Sequence, residues 1–289
     1  MNPIRILVTG ANGQSGQTFR ELAPVQKGIE FVFLDRNILP IEQHQTLFNY
    51  LSLVQFDYCI NLAAYTAVDL AETERDLSYE TNAISVEKLA FACQQNKVKL
   101  IHLSTDYVFD GNSFTPYRES DFTNPVNYYG YTKLKGEELA LGVNDDTIII
   151  RTSWLYSPYG KNFVKTMLRL MSEREFVNVV DDQKGSPTYT FDLATAILTI
   201  IRSDTWTPGI YHFANRGSVS WYEFADAIRK HSNKRCDVRP IPTTEFPTPA
   251  KRPIFSVLDC GKIQDTFGIS QLPWEERLKD CLTKLGELN

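Results

Sequence analysis

Two tyrosine–lysine pairs stand within one short stretch, Tyr129 with Lys133 and Tyr131 with Lys135. A spacing of four puts the members of each pair on one face of a helix. An ammonium beside a phenol stabilises the phenolate and draws the tyrosine pKa down from about 10. Such a phenol can exchange a proton with a carbonyl oxygen while hydride moves to the attached carbon. The two pairs point about 200° apart round a helix, so one of them can face a given cleft, and spacing does not choose between them. Upstream, Leu103-Ser104-Thr105-Asp106-Tyr107 closes an apolar run with two hydroxyls. The carboxyl end of a central parallel strand is where ligands bind in open α/β sheets.

A second constellation lies near the N-terminus. Gly10-Ala11-Asn12-Gly13-Gln14-Ser15-Gly16 joins an apolar run to a helical segment. Gly10 permits a tight turn, Gly13 lets backbone approach a pyrophosphate, and Gly16 lets helix and strand pack closely. The first amides of the helix then face the anion, with Asn12, Gln14 and Ser15 as the loop's other contacts. Asp35 ends the second apolar run, where a carboxylate can bind an adenosine ribose diol and would repel a 2′-phosphate. Arg36 follows at once and suits that phosphate. The pair leaves NADPH and NADH both open.

These residues need elements to hold them. Short apolar runs at 4–9, 29–34, 57–62, 98–104 and 147–152 alternate with helical patterns at 15–23, 43–54, 81–95 and 127–141. Nearly continuous apolar strands suit a sheet buried on both faces. Strand and helix in alternation predict right-handed βαβ units, hence an α/β, Rossmann-type doubly wound parallel sheet. Beyond residue 153 the pattern is less regular, with helical stretches at 160–172, 190–202, 219–231 and 274–285. Pro240, Pro242, Pro247, Pro249 and Pro253 mark an irregular connection. The expected division is a dinucleotide-binding domain over 1–152, to which 190–215 returns through a strand at 209–215, and a smaller substrate domain over 153–289.

Composition narrows the class. The 289 residues are 43% hydrophobic and 22% charged, an ordinary globular balance. A net charge of −5 argues against nucleic acid as a partner. No apolar run reaches membrane-spanning length, and Met1-Asn2-Pro3-Ile4-Arg5 leads into a strand rather than a signal-peptide core. The five cysteines are widely spaced without a C-x-x-C pair, which fits free thiols in a cytoplasmic protein. The four histidines form no H-x-x-x-H pair, so no metal centre is expected.

Taken together, the glycine loop, Asn61-Leu-Ala-Ala-Tyr-Thr-Ala-Val-Asp69, Ser104-Thr105-Asp106-Tyr107-Val-Phe-Asp-Gly111 and Tyr129-Gly-Tyr-Thr-Lys133 resemble the extended short-chain dehydrogenases/reductases. Within them the chain is most similar to the dTDP-4-dehydrorhamnose reductase family, and the similarity continues through Arg151-Thr-Ser-Trp154, Asp182-Gln183-Lys-Gly185-Ser-Pro187-Thr188 and Arg252-Pro253. That resemblance implies reduction of the C4 ketone of a dTDP-sugar by NADPH, with NADH as the alternative cofactor. It implies Tyr129 and Lys133 as the working pair, with Thr105 as the third catalytic residue. It places Ala63, Ala64, Tyr65 and Thr66 at the cofactor, and Val68, Asp106, Tyr107, Trp154 and Arg252 at the nucleotide-sugar. The family often reads L-D-I-T-D after the second strand, whereas this chain has Leu39-Pro40-Ile41-Glu42. Some members are dimers bridged by a metal held on carboxylates, one of them in the first helix; here that helix has no carboxylate before Glu21, so a monomer without metal is expected, with a homodimer as the alternative. A nucleotide-sugar epimerase or dehydratase is the nearest other enzyme, but Asp106-Tyr107 stands where the dehydratases carry an Asp-Glu pair. A non-catalytic regulatory subunit is the alternative of another kind.

Overall fold

The computed structural model describes residues 3–288. Met1, Asn2 and Asn289, at the ends of the two expected domains, lie outside it. The strands are β1 (Ile4–Thr9), β2 (Ile29–Phe33), β3 (Tyr58–Asn61), β4 (Lys99–Thr105), β5 (Thr147–Thr152), β6 (Leu155–Tyr156), β7 (Phe176–Val180), β8 (Lys184–Gly185), β9 (Thr188–Tyr189), β10 (Gly209–His212), β11 (Val219–Ser220) and β12 (Asp237–Ile241). Six of them form one sheet in the order β10-β5-β4-β3-β1-β2. Every pairing within it is parallel, with Thr9 beside Asn61, Asn61 beside His102 and Thr105 beside Thr152. The order reverses beside β1, so the carboxyl ends of β1, β3 and β4 open on the crevice where such sheets bind ligands.

The helices are α1 (Gln14–Leu22), α2 (His44–Leu53), α3 (Arg75–Tyr79), α4 (Ser85–Gln95), α5 (Tyr128–Val143), α6 (Phe163–Glu173), α7 (Thr190–Arg202), α8 (Trp221–His231), α9 (Gly261–Phe267) and α10 (Trp274–Leu285). The apolar strands are buried from both sides. One core joins Ile6, Val8, Ile60 and Ile148 to Phe19 of α1 and Leu193 and Ile197 of α7. The other joins Leu7, Cys59 and Leu100 to Leu47 of α2, Leu89 and Cys93 of α4 and Ala140 of α5. A third core, separate from the sheet, gathers Val164 and Leu168 of α6, Phe224 and Ile228 of α8 and Leu278 of α10 over β7 and β12.

One expected helix has a different shape. The pattern at 81–95 predicts a continuous helix, but Glu80–Ile84 forms a π turn before α4 begins. Tertiary contacts explain the extra residue. Asn82, fully buried, donates from Nδ2 to the Tyr65 carbonyl (3.0 Å) and accepts at Oδ1 from the Tyr65 amide (2.8 Å). Its own backbone carbonyl faces Gly136 of α5 so closely that a Cβ there would lie 2.1 Å from it. Widening one turn lets the two helices meet while Asn82 holds the loop after β3.

Candidate active site

A cleft of about 650 Å³ runs across the carboxyl ends of the strands. Its floor is the glycine loop. Gly10 has φ +65°, and a Cβ at that position would fall 2.6 Å from the Ala63 amide nitrogen. Glycine therefore serves both the turn and the close approach of the β1 and β3 loops. Asn12, Gly13, Gln14, Ser15 and Gly16 line the same floor. Gly13 caps α1 in extended conformation, leaving the first-turn amides without helical partners and α1 without an acidic residue in that turn. Ala63, Ala64, Tyr65 and Thr66 form one wall, and Tyr129 and Lys133 stand at the far end beside Ser104. A glycine cradle leading to a tyrosine fits an extended dinucleotide.

The adenosine end differs from its sequence expectation. Asp35 lines the cleft, but its carboxylate is already engaged. Oδ1 accepts from the amides of Asn37 and Ile38 (2.8 and 3.1 Å), and Oδ2 accepts from Asn12 Nδ2 (2.8 Å). The residue fixes the turn as well as facing the ligand space. Arg36 is largely exposed and pairs with Glu42 at 3.5 Å. Glu42 also accepts from the Thr81 hydroxyl (2.8 Å) and lines the cleft beside Pro40. Glu42 thus brings a carboxylate to this end of the cleft, next to Pro40.

At the reactive end, Asn127 caps α5 by accepting from the Gly130 amide (2.8 Å), which fixes where the helix starts. A Cβ on Gly130 would sit 2.1 Å from the Tyr107 carbonyl oxygen, so glycine lets α5 press against the turn that follows β4. The choice between the tyrosines is then plain. Tyr129 faces the cleft and meets Tyr107 edge-on, ring centroids 5.9 Å apart, whereas Tyr131 is exposed and stacks on Tyr79. Lys135 pairs with Glu138 at 2.6 Å. Burial pushes the Tyr129 phenol above its ordinary value, against a hydrogen bond with the Thr105 hydroxyl. Burial also pulls Lys133 down to about 8, although Glu137 attracts its proton. The sequence argument expects Lys133 to lower the phenol; instead Lys133 Nζ lies 2.7 Å from the Leu103 carbonyl and 3.2 Å from His102 Nε2, and the phenol stays protonated. For the phenol, burial and the neighbouring Asp106 charge act in the same direction, against the Thr105 hydrogen bond.

Thr105 sits at the end of β4, donating to Asp106 Oδ1 (3.0 Å) and accepting from the Tyr107 amide (3.2 Å). Asp106 is buried, and that burial pushes its carboxyl up to about 7 while the Ser256 and Thr105 hydroxyls oppose the shift. Behind the site, Glu137 binds Ser104 and the guanidinium of Arg151, both buried.

A second cavity of about 250 Å³ is lined by Phe163, Met167, Asn178, Val179, Val180, Gln183, Trp221, Phe246, Thr248 and Arg252. Arg252 makes a two-pronged pair with Asp69, both bonds 2.9 Å, and its charge also acts on the Tyr107 phenol. An apolar, aromatic chamber ending in a guanidinium suits a planar ring attached to a phosphate. Trp154 is not in the lining. It stacks on Trp221 with centroids 3.4 Å apart and planes 5° off parallel, so it backs the wall that Trp221 presents. Its φ of +47°, costly for a tryptophan, turns it out of β5 toward Gly185. Val68 lies half-buried beside Asp69 and lines neither cavity. Sequence reading missed Trp221, Asn82 and Glu42. A signal for Trp221 was present in Ser220-Trp-Tyr-Glu223, whose capping box starts α8 at the tryptophan.

Comparison with known proteins fits this geometry. The family model described as the RmlD substrate binding domain matches residues 4–287. A dTDP-4-dehydrorhamnose reductase from Aggregatibacter actinomycetemcomitans is 41% identical over 96% of this chain and 97% of its own. The chain belongs to the dTDP-4-dehydrorhamnose reductase family. Two solved members of the family superpose over nearly the whole length. The reductase from Clostridium acetobutylicum has a TM-score of 0.94 at 39% identity, covering 98% of this chain and 100% of its own. The reductase from Bacillus anthracis, solved in complex with NADP, has a TM-score of 0.93 at 41% identity, covering 98% and 99%. Among the described residues of this family member, no helix is long and apolar enough to cross a membrane.

Proposed function

We propose that the protein reduces the C4 ketone of dTDP-4-dehydro-β-L-rhamnose to the alcohol of dTDP-β-L-rhamnose, the last step in supplying that activated sugar. The observation that carries this reading is the placement of the Tyr129 phenol beside the Thr105 hydroxyl, at the end of a cleft floored by the glycine loop. Bound NADPH supplies the hydride. Tyr129 donates its proton to the carbonyl oxygen, and Thr105 turns its hydroxyl from Asp106 to polarise the same atom. General acid help of this kind contributes about 10²–10⁴ in rate. Lys133 orients the nicotinamide ribose and steadies the tyrosinate left behind. Residues 1–152 with 190–215 carry the dinucleotide, held by Gly10, Asn12, Gly13, Gln14, Ser15, Gly16, Asp35, Arg36 and Ala63 to Thr66. Residues 153–289 contribute most of the second chamber, where Trp221, backed by Trp154, flanks the base and Arg252 pairs with the pyrophosphate. Val68, Asp106 and Tyr107 border the sugar between them. The test is loss of NADPH absorbance on addition of dTDP-4-dehydrorhamnose. One NADPH oxidised per ketone supports the reading; no oxidation with NADPH or NADH overturns it, as does turnover with tightly held NAD and no net oxidation, which marks an epimerase.

A further inference from the structure

The paired strands β7 and β12 end side by side, and the residues just past them fix one side chain of the second cavity. Val180 lies beside Ile241, and the Asp181 amide donates to the Ile241 carbonyl (3.0 Å). That register brings Asp182 and Gln183 against Thr243. The Asp182 carboxylate accepts from the Thr243 amide at both oxygens (3.0 and 2.9 Å) and also from the Thr243 hydroxyl. A hydroxyl has one proton and an ionised carboxylate can only accept, so that proton is committed to Asp182. Gln183 meets the same hydroxyl oxygen at 3.0 Å and must donate to it. The nitrogen end of its amide therefore faces Thr243, and Oε1 is the end left for the chamber.

Gln183 is only 4% exposed and lines the chamber, and no donor among the described residues meets Oε1. The other polar side chains of the lining differ from it. The Thr248 hydroxyl donates to the Ala250 carbonyl (2.9 Å) and accepts from Arg252, which is itself paired with Asp69. Asn178 is exposed on β7, and its side-chain amide bonds to no described residue that would fix it. The rest of the lining is largely apolar, with Phe163, Met167, Val179, Val180 and Trp221. In such surroundings a fixed acceptor is stabilised by a ligand that brings a donor and left unpaired by one that does not. We propose that Gln183 selects the base of the nucleotide-sugar, its Oε1 accepting the imide N3–H that thymine and uracil carry and cytosine lacks. Cytosine would bring the lone pair of its N3 against that oxygen, a repulsive element that excludes it. The selection falls on the hydrogen-bonding edge of the ring and not on the 5-methyl group, so this contact admits uracil as well as thymine. The assignment rests on the proposed function in seating a nucleotide base in this chamber.

The test measures binding without turnover, by calorimetry on the full-length protein with dTDP, N3-methyl-dTDP, dUDP and dCDP as probes. In the parent, N3-methyl-dTDP is expected to bind at least about tenfold more weakly than dTDP, and dCDP at least about tenfold more weakly than dUDP, because each leaves the buried acceptor unpaired. Gln183→Met keeps the length of the side chain and removes the acceptor; dTDP then weakens by about tenfold and N3-methyl-dTDP comes within about twofold of it. Thr243→Val frees the amide to turn and present Nε2–H to a bare N3, so the preference for dUDP over dCDP narrows by at least about threefold. The Thr243 backbone amide donates to Asp182 independently of the hydroxyl, so the loop keeps its anchor in that variant. Equal binding of dTDP and N3-methyl-dTDP by the parent overturns the proposal without any variant, as does no binding of dTDP at all. So does a rejection of N3-methyl-dTDP that persists in Gln183→Met, which would be steric, or an unchanged ratio of dUDP to dCDP affinity in Thr243→Val. A protein that oxidises NADPH with the ketosugar but binds dTDP and N3-methyl-dTDP alike keeps its proposed function and loses this inference. One that binds dTDP selectively and oxidises no NADPH does the reverse.

Discussion

A phenol that must give up a proton is best kept protonated until the hydride arrives. The corner around Tyr129 does this by burial. Tyr129→Phe is therefore expected to cut turnover at least about a hundredfold, the loss of a general acid. Tyr131→Phe, on an exposed ring stacked against Tyr79, leaves turnover within about twofold, as expected of a solvated face with no part in the chemistry. Steady-state kinetics on the two variants check this; a reversed order would place the working face on the wrong side of α5. Asp106 gives a pH dependence with a definite sign. Its carboxyl is raised to about 7 in the folded chain, against about 3.9 in an unfolded one. Between those values the folded state holds a proton that the unfolded state releases, so this group's contribution to stability falls as pH rises through the window. Asp106→Asn removes the ionisation while keeping an acceptor for Thr105. Thermal melts should show the variant more stable than the parent at pH 8, by on the order of 2 kcal/mol, and the two alike at pH 4. Equal differences at both pH values would mean that Asp106 ionises normally.

Elements place these side chains by close approach, and one approach can be tested directly. Gly130→Ala puts a methyl 2.1 Å from the Tyr107 carbonyl oxygen, which is backbone and cannot yield alone. Helix α5 must back away from the turn after β4, separating Tyr129 from Thr105. The expected outcome is a loss of about 1–3 kcal/mol in stability and a fall in kcat larger than the rise in KM, measured by denaturation and kinetics on the same preparation. A variant with parental kcat would show that the contact does not set the site. The first five strands of the sheet were legible in the sequence to within about a residue, because a sheet buried on both faces writes itself as apolar runs, whereas the returning strand read as 209–215 ends at His212 and the short strands beyond residue 153 were not read. The glycine loop and the strand-end hydroxyls were legible for the same reason: their positions follow from strand ends. The π turn at Glu80–Ile84 was not, since its cause is a carbonyl pressed against Gly136 far along the chain. The second cavity was legible only in part. Arg252 and Trp154 came from family likeness, but the wall itself is Trp221, and residues from four separate stretches meet there. At the cofactor's adenosine end, Glu42 reaches the cleft and Arg36 by tertiary placement, which spacing along the chain does not show.

Whole-molecule assembly turns on the first helix. Metal-bridged relatives hold their ion partly through a carboxylate there, and hard divalent cations need such oxygen ligands. The first acidic residue of α1 in this chain is Glu21, in its last turn, and it is already committed. It accepts from the Tyr159 hydroxyl and pairs with Lys284, tying α1 to the loop after β6 and to the end of α10. A cation bridging two subunits through Glu21 would have to break both intramolecular contacts, and at the opening turn of α1 it would meet Gln14, Gln17 and Thr18, which are neutral. Thr18 is not free either, since its hydroxyl bonds to Thr190 of α7 at 2.6 Å. The protein is therefore expected to sediment as a monomer at micromolar concentration and to keep its sedimentation coefficient and its NADPH oxidation rate in EDTA. Glu21→Gln should lower thermal stability modestly, by about 0.5–1 kcal/mol, through the exposed pair with Lys284, and leave sedimentation unchanged. A dimer that dissociates on chelation, or a Glu21→Gln protein that changes its mass in solution, would return the carboxylate to an intersubunit role.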